Sequence, residues 1–350
     1  MRRYYTRVCN FYYGKESRSL IKKRKAFSLN NNKDISFDHI EIISRKSKLK
    51  IYIKKINSLP NLLKKQIKFD LRKIRSEKKN FANFNFRNLP NLIGVLNLTP
   101  DSFSDGGKYN SKKKGAEQAI KMFKSGANII DVGGESTRPG SKAVAVNLEW
   151  KRLEKFFNQK SINIPLSLDT RKSEIMKKGI INGVKLINDV SGLNYDNKTI
   201  DILKKYKIPF VIQHSQGTPE TMQKKPRYKN ELLDIYDFFE KKIKFLRSVG
   251  IKHDKIIIDP GIGFGKNLKH NMNLISNISI FHSLGFPVLV GNSRKKFIKE
   301  ISGKNDSKNR IGGTVASSMY LMMQGIQILR IHDVNEILQG IKVFKELIKK

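Results

Sequence analysis

The chain has one cysteine and one tryptophan among its 350 residues, and only 30 acidic side chains against 70 basic ones. A single thiol, Cys9, excludes an internal disulfide and fits a reducing, cytoplasmic setting. No apolar run is long enough to span a bilayer, so no membrane partner is expected. No apolar segment follows the basic start, so a secretory signal is not expected either. The scarcity of acid leaves a formal net charge of +40. A charge of that size invites a nucleic-acid partner. Lysine and asparagine are spread through the whole chain, however, as an AT-rich coding sequence would spread them. No RRM, KH, helix-turn-helix or zinc pattern accompanies them, and no specific nucleic-acid binding is expected.

The basic excess is uneven. Residues 1–87 hold 25 Lys and Arg against 6 Asp and Glu, while the rest holds 45 against 24. Residues 1–87 read as a small basic N-terminal extension of unknown role. Ile35 to Ile43 alternates like a half-buried strand, Ile51 to Ile53 suggests a second, and Leu59 to Lys79 reads as one helix or a helix pair. Asn80 to Asn88 reads as a linker. Arg2, Arg3 and Arg7 would suit a transit peptide, but the strand-like patterning and the length argue against one. The extension is expected to be dispensable for chemistry, with folding, assembly or surface adhesion as the roles left open to it.

From Asn91 the pattern changes. Short, almost continuously apolar runs alternate with amphipathic stretches of helical length. The runs are Leu92–Asn97, Asn128–Val132, Pro165–Asp169, Lys185–Asp189, Pro209–Gln213, Lys255–Asp259, Pro287–Gly291 and Gln327–Ile331. Strands this uniformly apolar are covered on both faces, as in a parallel sheet. Eight such units over residues 88–350 predict an α/β fold of the (β/α)8 TIM-barrel type, with an open doubly wound sheet as the alternative.

A TIM barrel places its site at the carboxyl ends of the strands. Here those ends carry Asn97, Asp131 with Glu135, Asp169, Asn188 with Asp189, His214, Asp259, Asn292 to Lys295, and Arg330 with His332. At any one position a polar residue merely marks where a strand meets a loop. At all eight, the set describes a polar ligand: acids and amides suit the amino and amide edge of a heterocycle, and Arg, Lys and His suit an anion. The loops are rich in Gly, Pro, Ser and Asp. They read N-L-T-P-D-S-F-S-D-G-G from Asn97, G-G-E-S-T-R-P-G-S from Gly133, D-P-G-I-G-F-G-K from Asp259, G-N-S-R-K from Gly291 and R-I-H-D-V from Arg330.

These five motifs, in this order and spacing, resemble the dihydropteroate synthase family over residues 88–350. The resemblance implies a transferase of folate biosynthesis. It would condense a dihydropterin methyl diphosphate with p-aminobenzoate, release pyrophosphate, use Mg²⁺ as cofactor, assemble as a homodimer and be a sulfonamide target. Matched residue by residue, it implies that Asp169, Asn188, Asp259 and Lys295 read the pterin. Asn97 is matched with Mg²⁺ and diphosphate, and Arg330 and His332 with the diphosphate anchor. Thr137, Arg138, Pro139, Phe264 and Lys295 are matched with the p-aminobenzoate pocket. Asp101 and Phe103 belong to a first loop that orders over both substrates. Asn97, Asp101, Lys295, Arg330 and His332 are thereby the catalytic candidates. Ser215, Asn292 and Lys296 depart from the common family pattern. A pterin-dependent methyltransferase would share the barrel but needs no diphosphate anchor, so Arg330 and His332 speak against it.

Overall fold

Each apolar run that the sequence isolates becomes a parallel strand, and each amphipathic stretch becomes the helix that covers it. The computed structural model describes residues 4–99, 111–138, 140–159 and 161–348. In chain order, the N-terminal region holds β1 (Tyr5–Tyr13), α1 (Gly14–Lys22), β2 (Phe27–Leu29), β3 (Asn32–Ile43), β4 (Lys48–Tyr52) and α2 (Asn61–Arg75). The rest runs β5 (Asn91–Asn97), α3 (Ser111–Lys124), β6 (Ile129–Gly133), α4 (Val146–Phe157), β7 (Leu166–Asp169), α5 (Ser173–Ile181), β8 (Leu186–Asp189) and α6 (Thr199–Tyr206). It continues with β9 (Phe210–Gln213), α7 (Glu231–Ser248), β10 (Ile256–Asp259), α8 (Leu268–Ser276), β11 (Leu289–Val290), α9 (Lys296–Ser302), α10 (Ile311–Met322), β12 (Ile328–Ile331) and α11 (Val334–Leu347). No helix among the described residues is long and apolar enough to cross a membrane.

The eight later strands form one parallel sheet in the order β10-β9-β8-β7-β6-β5-β12-β11. Its ends meet through a bridge between Ile258 and Val288, where the Ile258 N–H donates to the Pro287 carbonyl at 3.0 Å. The sheet is therefore a barrel, as the repeat predicts, and the open-sheet alternative is excluded. Alternation sorts its side chains. Leu92, Ile130, Leu168, Ile187, Ile212, Ile258, Val290 and Leu329 face the surrounding helices and share their core. The inward side is layered. Its amino-end layer is Ile93, Ile129, Leu186, Val211, Ile257, Leu289 and Ile328, all buried. Two residues further on, the inward positions of β6, β8, β10 and β12 turn polar, with Asp131, Asn188, Asp259 and Arg330.

That amino-end layer does not close on itself. It is continuous with Val8, Leu29, Phe37, Ile40, Ile67, Leu71 and Ile74 of the N-terminal region. Residues 4–75 thus form a built module across the bottom of the barrel. Strand β3 is its centre and pairs antiparallel with β1 from Tyr13↔Ile35 to Tyr5↔Ile43. The other neighbours of β3 are β2 and β4, while α2 lies against the 3-10 segment Ile278–Leu284. Polar bonds stitch the seam. Tyr5 Oη donates to Asp237 at 2.7 Å, and Arg45 reaches Asp234 at 2.8 Å and Asp237 at 2.7 Å. Lys78 Nζ donates to the Gly285 carbonyl at 2.7 Å.

The strands expected near 35–43 and 51–53 correspond to β3 and β4, and the helical stretch is the single helix α2. Strands β1 and β2 and helix α1 lie where sequence patterning marked nothing. The expected linker at Asn80 to Asn88 is not a free tether, because Phe84 and Phe86 are buried against the module core. Helix α8 ends at Ser276, and the chain continues from Ile278 to Leu284 as the buried 3-10 segment under the module.

Candidate active site

The polar layer begins with an acid on β6. Asp131 is buried, and its Oδ2 accepts from Arg330 Nε of β12 at 2.7 Å and from Asn188 Nδ2 of β8 at 2.9 Å. Arg330 spans the barrel interior, because its Nη2 also donates to Asp169 Oδ2 of β7 at 2.7 Å. One guanidinium thus fixes two carboxylates from neighbouring strands. Sequence reading placed Asp131 at a strand end but not among the site residues. The missed signal is its alternation: it shares an inward face with Ile129 and sits beside Ser167, two residues before Asp169.

The floor built this way has unused acceptors. Asp131 Oδ1, Asp169 Oδ1 and Asn188 Oδ1 are buried and have no hydrogen-bond partner. Native interiors seldom leave such atoms unpaired except where a ligand or water completes them. Asp259 of β10 joins the floor, and its Oδ1 accepts from the Gly261 N–H at 2.8 Å. That bond needs a chain reversal only glycine tolerates: φ is +70° at Gly261, and a Cβ there would lie 2.0 Å from the His214 carbonyl oxygen. Burial pushes the Asp169 carboxyl up to about 7 against the pull of Arg330, and lifts Asp259 to about 6 against its backbone bond. A donor-rich ligand that replaces lost water would restore the charged forms.

Two lysines face these acids. Burial, reinforced by Arg330, lowers Lys295 to about 8. Its Nζ stands 4.2 Å from the ring centroid of Phe264, a cation–π contact at the wall of the site. Burial lowers Lys266 to about 7. Its Nζ donates to the Phe264 carbonyl at 2.9 Å and lies 3.1 Å from His214 Nδ1, so it clamps the glycine-rich loop to the end of β9.

Above this floor opens a cavity of about 510 Å³. Asn97, Thr137, Arg138, Phe264, Lys295, Arg330 and His332 all line it, so the structure brings together these expected site residues from the ends of five strands and the loops that follow them. Asp169, Asn188 and Asp259 lie in the inward layer beneath. The expected residues Asp101, Phe103 and Pro139 lie outside the described residues. Around the rim, cations dominate. Burial and the charges of Arg330, Arg294, Lys295 and Arg138 hold His332 down at about 3, so it is a neutral hydrogen-bonding group at pH 7 rather than a cation. Its Nδ1 lies 3.2 Å from Ser293 Oγ. Arg294 is anchored to Asp333, with Nε donating at 2.9 Å, and the Arg294 carbonyl accepts from Arg310 Nη1 at 2.9 Å.

A buried ion network holds the second loop in place. Arg171 meets Glu135 at 2.8 Å, Lys172 contacts both Glu135 and Glu149, and the Val144 N–H donates to Glu135 at 2.9 Å. The residues that depart from the family pattern have local explanations. Asn292 donates to Ser317 at 2.8 Å and Ser318 at 2.9 Å, tying the end of β11 to α10. Ser215 bonds the Gly217 carbonyl at 3.3 Å, and Lys296 pairs with Glu300 at 3.1 Å on the surface.

Comparison with known proteins agrees with this geometry. The family model described as pterin binding enzyme matches residues 93–332. The dihydropteroate synthase of Escherichia coli strain K12 is 38% identical over 256 residues, covering 73% of this chain and 90% of that protein. That of Synechocystis is 37% identical over 254 residues, covering 72% and 88%. Among solved structures, a Yersinia pestis dihydropteroate synthase with a sulfonamide drug complex superposes with TM-score 0.69 at 36% identity, covering 74% of this chain and 94% of that one. A Clostridium difficile dihydropteroate synthase in the presence of pteroic acid superposes with TM-score 0.70 at 34% identity, covering 78% and 100%. A family match across the barrel, and relatives of this identity covered almost end to end, place the chain in the dihydropteroate synthase family of pterin-binding enzymes.

Proposed function

We propose that the barrel mouth condenses (7,8-dihydropterin-6-yl)methyl diphosphate with p-aminobenzoate, giving 7,8-dihydropteroate and pyrophosphate. The observation that carries this reading is the stacking of two opposite chemistries. A dry floor of acceptors, Asp131, Asp169, Asn188 and Asp259, lies under a rim of cations, Arg330, Arg294, Lys295 and Arg138. A pterin offers amino and ring N–H donors to such a floor, and its diphosphate offers charge to such a rim.

In the reaction, the methylene C–O bond breaks and its electron pair leaves with the diphosphate. The dihydropterin ring stabilises the methylene cation, and the aniline nitrogen lone pair closes the new C–N bond as one aniline proton is released. Asp169 and Asp259 hold the ring, and Lys295 donates to its carbonyl. Arg330 has donors left beyond Asp131 and Asp169, and with neutral His332 it meets the departing diphosphate. Thr137 and Arg138 from the second loop, with Phe264 and the Lys295 stem, flank the p-aminobenzoate ring; Pro139, Asp101 and Phe103 are assigned to the same closure.

Mg²⁺ fits this donor set sparingly. Among the described residues no cluster of three His, Cys, Asp or Glu is present, and Asn97 offers one amide oxygen beside Arg330 and His332. Mg²⁺ that keeps most of its waters and binds diphosphate needs little more. Bound there, it would neutralise charge on the leaving group. A homodimer through α10 and α11 suits the apolar side chains exposed on these helices, Tyr320, Val343 and Leu347, and Met323 at the end of α10. A cytoplasmic site suits the free buried thiol of Cys9.

The test is pyrophosphate release with Mg²⁺ and pterin diphosphate. Release should depend on p-aminobenzoate, and a sulfonamide should inhibit competitively against it. Release at full rate without p-aminobenzoate would make the protein a pterin diphosphate hydrolase instead, and a sulfonamide effect independent of p-aminobenzoate would remove the shared pocket.

A further inference from the structure

Gln213 has no part in the assignment above, yet it stands on the same floor. It ends β9 in register with Asp259 on β10, one inward position beyond the pair Val211↔Ile257. Val211 and Ile257 both belong to the inward amino-end layer, so alternation turns Gln213 inward beside Asp259. The side chain is 3% exposed. It packs under the loop, since a Cβ on Gly261 would meet Gln213 Cγ at 3.4 Å. Its amide nitrogen is buried and has no hydrogen-bond partner.

That makes Gln213 unlike the other orphans of the floor. Asp131, Asp169 and Asn188 each leave an oxygen free and Ser167 of β7 leaves a hydroxyl, whereas Gln213, on the β9 side, leaves an amide N–H donor. One N–H of the Asn188 amide is engaged with Asp131, and among the described residues of β8, β9 and β10 the buried amide nitrogen with no partner at all is that of Gln213. Round the barrel, β8, β9 and β10 bring Asn188, Gln213 and Asp259, and the loop after β11 brings Lys295. The pyrimidine edge of a pterin reads carbonyl, N–H, amino group and ring nitrogen, which is acceptor, donor, donor and acceptor. Asp259 complements the two central donors. Each flanking acceptor then needs a donor. Lys295 on the β11 side meets the carbonyl, and the β9 side must meet the ring nitrogen.

Resting on the proposed function, we propose that Gln213 is a specificity-determining residue that donates its side-chain N–H to the ring nitrogen flanking the pterin amino group. An apolar side chain here would leave that nitrogen dry and unpaired, so the site would lose its preference for a heterocycle that carries it.

The experiment is calorimetry on the full chain with two ligands: 6-hydroxymethylpterin and its analogue with CH in place of that ring nitrogen. The wild type should bind the analogue about tenfold more weakly than the pterin, the loss of one hydrogen bond in a dry site. Gln213→Met should bind the pterin about tenfold more weakly and the analogue no worse than the wild type does, with KM for p-aminobenzoate unchanged. Equal affinity of the wild type for both ligands would overturn the proposal even if the variant failed to fold. An equal loss on both ligands in Gln213→Met would reduce Gln213 to a packing role and overturn it too. Asp259→Asn separates this from the wider reading: wild-type pterin binding that Asp259→Asn leaves intact would overturn the proposed floor itself.

Discussion

The amino and carboxyl ends of this barrel are built from consecutive inward positions of the same strands, and they hold opposite contents. On β6 the two positions are Ile129 and Asp131, on β8 Leu186 and Asn188, on β10 Ile257 and Asp259, on β12 Ile328 and Arg330. The lower residue of each pair continues into the apolar core of the N-terminal module, and the upper one points into the site. Two residues along a strand, about 7 Å, separate a layer that stabilises the fold from a layer that burdens it with buried charge. The comparison separates substitutions by consequence. Changes in the lower layer should be felt as stability and changes in the upper layer as activity.

The most severe way to break the comparison is to remove residues 1–87. The sequence suggested that this segment is dispensable for chemistry, and it stands at the end of the barrel away from the site. It nevertheless covers seven large aliphatic side chains of the lower layer. Uncovering a Leu or Ile forfeits about 1.5–3 kcal/mol, and a whole domain holds only about 5–15 kcal/mol in reserve. A chain beginning near Asn88 should therefore be insoluble or unfolded, as read by circular dichroism and gel filtration. A soluble, folded and active truncation would show that the module is an accessory rather than part of the barrel core.

The second test takes one residue from each layer. Asp259→Ala and Asp169→Ala should lower kcat/KM by about a hundredfold or more, because each strips charged hydrogen bonds from a dry floor, while leaving the folded state intact. Ile257→Ala, two residues below Asp259, should leave KM nearly unchanged but cost about 2–5 kcal/mol in chemical denaturation, the usual range for a buried cavity. Near-normal kinetics in either Asp variant would contradict the floor assignment. A large kinetic defect in Ile257→Ala would show that the two layers are coupled.

Much of this division was legible in the sequence, and the reason is physical. The strands of the barrel are covered on both faces, so they stand out as apolar runs, and the polar residue that ends each run marks the mouth. Asn97, Asp169, Asn188, Asp259, Lys295, Arg330 and His332 were placed at the mouth in this way, together with the motifs. Other features are invisible to pattern alone. Asp131 reads as one more strand-end acid until Arg330 and Asn188 are seen to converge on it. The neutral state of His332 depends on its burial and on cations that include Arg294, Lys295 and Arg138 from other loops. The module was obscured by its own surface. Strand β1 alternates imperfectly, with three tyrosines and Arg7 among its nine residues, and its burial comes from α7 and the segment Ile278–Leu284, far away in sequence.

The finest comparison sets one buried lysine from each end side by side. Lys266 at the mouth is held near 7 and Lys78 at the module seam near 8, in both cases by burial, against 10.5 in the open chain. Neither has a carboxylate partner among its hydrogen bonds: Lys266 bonds carbonyls and His214, and Lys78 bonds carbonyls and Ser76. The sign follows from proton counting. Below its folded pKa each lysine is charged in both states, and the full cost of burying that charge falls on the fold. Above 10.5 it is neutral in both states and the cost is gone. Between these limits the unfolded chain holds the extra proton, so stability rises with pH. From pH 7 to pH 9 the gain is on the order of 2 kcal/mol for Lys266 and somewhat less for Lys78. Urea titrations at the two pH values should show that gain in the wild type, and Lys266→Met and Lys78→Met should each remove their own share of it. Only Lys266→Met should also raise KM for p-aminobenzoate, because only Lys266 clamps the loop that carries Phe264. Parallel stability curves for the wild type and both variants would show that these amines are hydrated rather than buried, and a KM effect of Lys78→Met would show that the module seam is felt at the mouth.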